Sequence, residues 1–403
     1  MSLWLSHTAT RFYTLTLIVM CAALVVSIRV SEPEFSYFDE IFYVASVHDI
    51  RSGLGIGEST HPPMVKVLML WSIALFGDSP FAWRLPSVVS GIALVGLVFG
   101  IMRSIGSSGL MATVCALFVT LDGLCLTQAR IGMLNAPCVA LGCGSLLLAL
   151  HRRTFLSGVL LGCSVASKFV GLAFVPVVLF ALWRTASIKK EGTGRYLTIL
   201  FLLTTAATMY LISFVPLLSF MSSLWSGILL YHTEMLQHHL HDASIVHRYG
   251  SPWWSWPFLL RPIWYGFEEV GGNGLVRGVL CIANPVVAAV VVFGVVAAMV
   301  RWFRTRAISF GEAVAVLGFL ANLLPWAFSP RLTMFHYYYP AYVFGIILAC
   351  LQLDRVSTRA RWFFAIVLCA ASIGMFVYWY PLWTALPIPR DRYESMIWFD
   401  TWR

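Results

Sequence analysis

Two neighbouring carboxylates stand in an aromatic stretch, Phe38-Asp39-Glu40-Ile41-Phe42-Tyr43, directly after the first apolar segment. Carboxylates beside a membrane are costly unless they are used or paired. An acidic lip that merely follows membrane topology fits the same residues, and composition does not separate the two readings. Adjacent residues on a helix do not share a face. Asp39 and Glu40 therefore point to different tasks rather than to a catalytic pair. Downstream, Thr60-His61-Pro62-Pro63-Met64-Val65-Lys66 joins an extended double-proline entry to a helix start. His61 and Lys66 would lie near the headgroups, as site residues or as a helix start with a snorkelling lysine.

Further cations, Arg130, Lys168, Arg261 and Arg331, fall at the ends of apolar segments. Each fits an interfacial anchor as well as an anion contact. A later loop holds His232, His238, His239, His241 and His247. Clustered histidines suggest metal, but Gln237-His238-His239-Leu240-His241 lacks the i, i+4 pair with an acid that metal sites use. A hydrogen-bonding loop is the favoured reading, with no resident metal expected and a divalent cation as the alternative. Trp253-Trp254-Ser255-Trp256 reads first as an aromatic belt and second as a stacking surface for sugar or prenyl chain.

The elements that must position these residues follow from composition. Apolar residues make up 59% of the 403-residue chain, charged residues 11%, and the mean hydropathy is +0.82. A soluble domain carries about 25% charged residues, so the bilayer must solvate much of this surface. The net charge of +9 does not indicate nucleic acid, because the basic residues sit in short loops between apolar runs. Most of the nine cysteines lie inside apolar runs without C-x-x-C spacing, as small apolar filler.

Apolar periodicity and length place spans near 14–30, 84–102, 109–127, 133–150, 155–166, 168–183, 196–219, 276–300, 311–328, 335–353 and 362–380. The fifth and sixth are either one tilted span or a broken pair around Ser167-Lys168. The shorter run Met64–Phe76 fits an interfacial helix. Residues 1–30 read as a retained first span and not as a signal peptide. With the N-terminus in the cytoplasm, fourteen basic residues and three acids lie inside, leaving thirteen basic residues and fifteen acids outside. That satisfies the positive-inside rule. The inside set includes Arg11, Lys189 and Lys190. Three long segments, 31–83, 220–275 and 381–403, then lie outside. No linker or repeat divides residues 1–403, which read as one polytopic domain with the C-terminus outside.

The motifs resemble the protein O-mannosyltransferase family. F-D-E-x-x-Y after the first span and H-P-P-x-x-K open the match. It continues through Ala129-Arg130-Ile131-Gly132-Met133-Leu134-Asn135, where the family usually has aspartate at the last position, and Ser167-Lys168-Phe169-Val170-Gly171. His247 to Pro257, Arg261-Pro262, Asn284-Pro285, Ser329-Pro330-Arg331, His336-Tyr337-Tyr338-Tyr339-Pro340 and Tyr380-Pro381-Leu382-Trp383 follow in order. No large soluble module interrupts the second long loop, unlike eukaryotic members, which points to a bacterial-type member.

The resemblance implies an all-α integral membrane protein of the GT-C glycosyltransferase type, with about 11 transmembrane helices and a juxtamembrane interfacial helix in the first outside loop. It implies transfer of a sugar, most readily mannose, from a polyprenyl-phosphate donor to Ser/Thr hydroxyls of exported polypeptides, with inversion. The implied location is the bacterial cytoplasmic membrane, or the endoplasmic reticulum in a eukaryote. Membrane lipid and the export translocon are the further partners. Asp39 matches the family's proposed base, and Glu40 orients the acceptor or pairs with a cation. Arg130, Lys168 and Arg331 are the phosphate candidates. His61, Lys66, His247, Trp256 and Arg261 contact substrate or support the loops. A GT-C transferase moving another sugar onto lipid or polysaccharide is the nearest alternative. A transporter or flippase is the second, although the apolar segments are almost free of the midplane charges transporters use.

Overall fold

The computed structural model describes residues 2–186, 193–221, 223–241, 247–272 and 274–403. Lys189, Lys190 and Glu191 lie outside the described residues, as do the side chains of Arg11 and His241. Each expected apolar segment carries helix. The first is α1 (Ser2–Ser27), followed by the short α2 (Glu40–Arg51) and by α3 (Met64–Phe76), which coincides with the expected interfacial helix. Then come α4 (Pro80–Ser104), α5 (Gly109–Thr120), α6 (Gly123–Arg130), α7 (Asn135–Leu150), α8 (Thr154–Ser167), α9 (Val175–Ala186), α10 (Thr193–Ile212) and α11 (Leu224–His241). The C-terminal half holds α12 (Pro285–Thr305), α13 (Phe310–Leu323), α14 (Tyr339–Leu353), α15 (Thr358–Trp383) and the short α16 (Arg390–Met396). Among the described residues five helices are long and apolar enough to cross a membrane, or six with the bent pair α5–α6 taken as one span. Large apolar side chains stand exposed along α1 (Leu17, Met20, Leu24), α12 (Phe293, Met299) and α15 (Phe363, Ile366, Val377). In water such faces would aggregate; in hydrocarbon they are solvated.

The structure refines three expectations. The segment 109–127 is not straight: α5 and α6 meet at a 58° bend. Asp122 caps α6 by accepting from Cys125 N at 3.0 Å. It also accepts from Asn284 N and Tyr342 Oη, each at 2.8 Å. One carboxylate thus ties the broken span to α12 and α14. Gly123 leaves room for the Trp383 indole, which lies where a Cβ would stand. Second, 276–300 begins as strand and not as helix, which adds a small sheet to a mostly helical fold. Strands β1 (Ile263–Val270), β2 (Leu275–Cys281) and β3 (Ile388–Pro389) form an antiparallel sheet in that order. Six or seven β-branched and apolar residues fit a strand as readily as a helix turn. Third, of the two readings open for 155–166 and 168–183, the structure shows the broken pair. After α8 the chain reverses at Lys168 into a 3₁₀ turn, Phe169–Phe174, with Gly171 packed against the Ser164 carbonyl.

The three long segments gather on one face of the bundle. Tyr231 of α11 donates to His61 O at 2.8 Å. Arg277 of β2 lies 3.7 Å from Glu32. The tail closes on the second segment through β2–β3 pairing and through Trp402 Nε1, which donates to Leu259 O at 2.6 Å.

Candidate active site

A cavity of about 650 Å³ opens on that face. Its wall includes Phe38, Asp39, Tyr43, Glu58, His61, Lys168, His247, Arg331, His336 and Tyr337. Phe38 holds the left-handed conformation, φ 54°, which costs a side-chain-bearing residue about 1–2 kcal/mol. Its ring stacks on Tyr265 at 4.4 Å, and α2 begins two residues later. Asp39 is left at the N-terminal boundary of α2. Its carboxylate caps no backbone N–H there and faces the cavity. Burial pushes its pKa above the usual carboxylate value; Lys168, Arg331 and His247 pull the other way, and Glu58 adds to the rise.

Glu40 points elsewhere and does not line the cavity. It is fully buried. Arg84 donates to its Oε1 through Nε and to its Oε2 through Nη2, each at 3.0 Å. Gly132 N donates to Oε1 at 2.7 Å. Of the two tasks the sequence left open for Glu40, the geometry selects the cation partner.

Arg130, one of the phosphate candidates, is engaged elsewhere. Its guanidinium donates to Val26 O at 2.7 Å, Ile28 O at 2.6 Å and Arg29 O at 2.9 Å. These carbonyls end α1, where a cation is favoured by the helix dipole. It lines neither the cavity nor the groove described below. Arg261 is exposed and lines neither. Trp256 is fully buried, with Nε1 donating to Ser251 Oγ at 3.0 Å. It supports the loop from beneath.

Lys168 and Arg331 come together. Lys168, at the α8 reversal, donates to Asn135 Oδ1 at 2.9 Å and lies 5.2 Å from the centre of the Tyr337 ring. Its hydrogen-bond partner is a neutral amide. Arg331 donates through Nη2 to Tyr337 Oη at 2.9 Å and through Nη1 to His239 Nδ1. Burial, aided by His61 and Arg331, pushes His239 down to about 3, which leaves its ring free to accept. His247 lines the cavity because Ser251 N donates to Thr333 O at 2.9 Å, which lays the 247–251 loop beside the Arg331 turn. His247 Nδ1 accepts from Tyr249 N at 3.2 Å.

Four of the wall residues, His61, Lys168, Arg331 and Tyr337, also line a second space. This groove, about 1010 Å³, runs between α13 and the Phe169–α9 segment. Most of its lining is apolar: Val170, Leu172, Pro176, Leu317, Leu320, Phe328 and their neighbours. A polar cavity and an apolar groove thus share a wall that carries two cations.

Two matches bear on kinship. Residues 60–220 match the family model described as dolichyl-phosphate-mannose-protein mannosyltransferase. Residues 224–402 match the C-terminal four-transmembrane region of protein-O-mannosyltransferase. The chain belongs to the protein O-mannosyltransferase family. It is 26% identical to the polyprenol-phosphate-mannose–protein mannosyltransferase of Mycobacterium tuberculosis, covering 92% of this chain and 86% of the relative. The Corynebacterium glutamicum protein of the same name is 24% identical over 91% of this chain and 88% of its own. The Saccharomyces cerevisiae Pmt1-Pmt2 complex bound to the sugar donor superposes with a TM-score of 0.81, at 15% identity, over 96% of this chain and 92% of that one. ArnT from Cupriavidus metallidurans bound to undecaprenyl phosphate gives 0.59 at 18% identity, over 87% and 62%. The architecture is that of a GT-C glycosyltransferase, and the chain is a multi-pass membrane protein.

This O-mannosyltransferase-family site contains residues that sequence reasoning passed over. Glu58 is the main one. Lys66, fully buried on α3, donates to Glu58 Oε2 at 2.7 Å and to Tyr231 Oη at 2.9 Å. His61 Nδ1 meets Glu58 Oε1 at 3.0 Å. Burial alone would push Glu58 up; the bond to His61 and the Lys66 charge hold it well below the usual range. Burial pushes His61 down to about 4 against Glu58. Lys66 therefore sits behind the wall and braces it. The sequence signal for Glu58 was only an acid three residues before His61. Among the described residues no group of three or more His, Cys, Asp and Glu is placed to hold a metal ion.

Proposed function

We propose that the chain transfers mannose from a polyprenyl-phosphate donor to Ser or Thr hydroxyls of an exported polypeptide, with inversion at the anomeric carbon. The observation that carries this is the shared wall. The groove suits a prenyl chain, Lys168 and Arg331 suit its phosphate, and Asp39, with no ion pair among the described residues, stands in the adjoining cavity. Asp39 takes the proton from the acceptor hydroxyl as its oxygen attacks C1 of the sugar. The C1–O bond to the phosphate breaks, and polyprenyl phosphate leaves. A phosphate is already a weak base, so one carboxylate suffices where glycosidases need two. The two cations take up the charge that develops on the leaving oxygen. The named relatives act with polyprenol-phosphate-mannose on proteins, which supports mannose over other sugars.

Residues 1–403 act as one unit in the cytoplasmic membrane of a bacterium. The N-terminus is inside, and the cavity face is outside, where exported chains emerge beside the translocon. The test is transfer of labelled mannose from mannosyl-phosphoryl-polyprenol to a Ser/Thr peptide by purified protein. Label on the peptide is the expected result. Label that moves only to lipid, or only with a different sugar, would replace this reading with another GT-C transferase activity.

A further inference from the structure

One imidazole in the cavity wall lacks hydrogen-bond partners. His336 is 2% exposed, and neither ring nitrogen makes a hydrogen bond among the described residues. It lines the cavity but not the apolar groove. Three aromatic rings surround it. Tyr337 lies at 4.5 Å, Phe38 at 5.8 Å and Tyr265 at 6.2 Å between ring centres.

We infer that His336, with the Phe38 and Tyr337 rings that line the cavity beside it, forms the subsite for a pyranose ring, with the imidazole hydrogen-bonded to a sugar hydroxyl and Tyr265 backing Phe38 from behind. The inference rests on the proposed transfer reaction. A buried imidazole with both nitrogens unpaired carries a desolvation cost, so it waits for water or for a ligand. In its neutral form it offers one donor and one acceptor, as a hydroxyl does. Aromatic faces match the C–H faces of a pyranose. The position separates this ligand part from the other two. The phosphate lies at the wall shared with the groove, which His336 does not line. The acceptor must come from the open side, and His336 lies at the buried end. Phe38, which touches His336, precedes Asp39 in the chain, so a sugar bound here presents its anomeric carbon near the carboxylate.

The test compares binding of mannosyl-phosphoryl-polyprenol and of sugar-free polyprenyl phosphate to wild type, His336→Phe and His336→Gln. Removing one or two neutral hydrogen bonds changes affinity roughly 10- to 100-fold. His336→Phe should lower the preference for the mannosylated lipid by about that factor. His336→Gln, which keeps a donor and an acceptor, should lose less. Binding of the sugar-free lipid should stay level in both, which also shows that the site is folded. An unchanged preference in both variants, or equal weakening toward both lipids, overturns the subsite. Transfer is measured in parallel: wild type that binds the donor but moves no mannose rejects the transferase reading, while the binding ratio still judges His336.

Discussion

Arg84 grips both carboxylate oxygens of Glu40 at 3.0 Å, and both side chains are fully buried. Arg84 also donates to Val30 O at 2.8 Å, Pro33 O at 2.9 Å and Phe35 O at 3.0 Å. The pair therefore pins the loop that leads from α1 to Asp39 onto α4. Glu40→Gln leaves the guanidinium buried without its anion, and breaking such a pair costs about 3–5 kcal/mol. The expected outcome is a lower thermal unfolding transition and poor yield. The protein that stays folded at low temperature should keep most of its transfer rate per molecule. Unchanged thermal stability with a large loss of transfer would return Glu40 to the chemistry.

Asp39 lines the cavity; composition did not separate it from an acidic lip, and the family resemblance was what singled it out. Lys168 and Arg331, read as cations at span ends, both line the wall that the cavity and the groove share. The same criterion failed for Arg130, because a guanidinium that caps a helix about a hundred residues earlier has the same local sequence as one that binds an anion. Glu58 was hidden for a related reason. What makes it a site residue is Lys66 on another element and Tyr231 at a sequence distance of 165 residues. The bundle was readable from apolar length. Strand β2 was not, since its apolar run continues almost directly into α12 and only pairing with β1 shows it to be extended.

Arg331 stands where the cavity and the groove share a wall. Arg331→Ala should weaken binding of polyprenyl phosphate and of the mannosylated donor alike. The acceptor KM should move little. Arg331→Lys should recover only a small part, because a point charge does not replace a planar fork. Unaltered affinity for the lipid phosphate in both variants would remove Arg331 from the phosphate site.

The cavity face carries the long segments, and the opposite face carries the arginine-rich turns. Arg301 and Arg355 both pair there with Glu312, the latter at 2.8 Å. An enzyme reporter that works only outside the cytoplasm should be active when fused after Arg403. It should be silent when fused after Lys190. The reverse pair of results would place the cavity in the cytoplasm, where no exported chain could reach it.

Asp39 offers a linked test of activity and stability. Burial is the largest influence on its carboxyl and raises its pKa from the ordinary 3.8. The sign of both effects follows. A base must be ionised, so transfer should rise with pH along a limb centred above the ordinary carboxylate value. A folded pKa above the unfolded one means that the proton stabilises the fold. That contribution is full below the unfolded pKa and is lost as pH rises through the folded one. At neutral pH the ionised Asp39 is thus a cost that the fold carries for function. Asp39→Asn removes the charge and cannot accept the proton. Turnover should fall by roughly 10²–10⁴-fold, with donor binding retained. The unfolding transition at neutral pH should move up, and the gain over wild type should vanish in strong acid. Asp39→Glu should be partly active at best, since its carboxylate shifts by about one methylene, a misplacement that near-attack geometry does not tolerate. Near-wild-type transfer by Asp39→Asn on folded protein would assign the base elsewhere, with Glu58 the next carboxylate on the cavity wall.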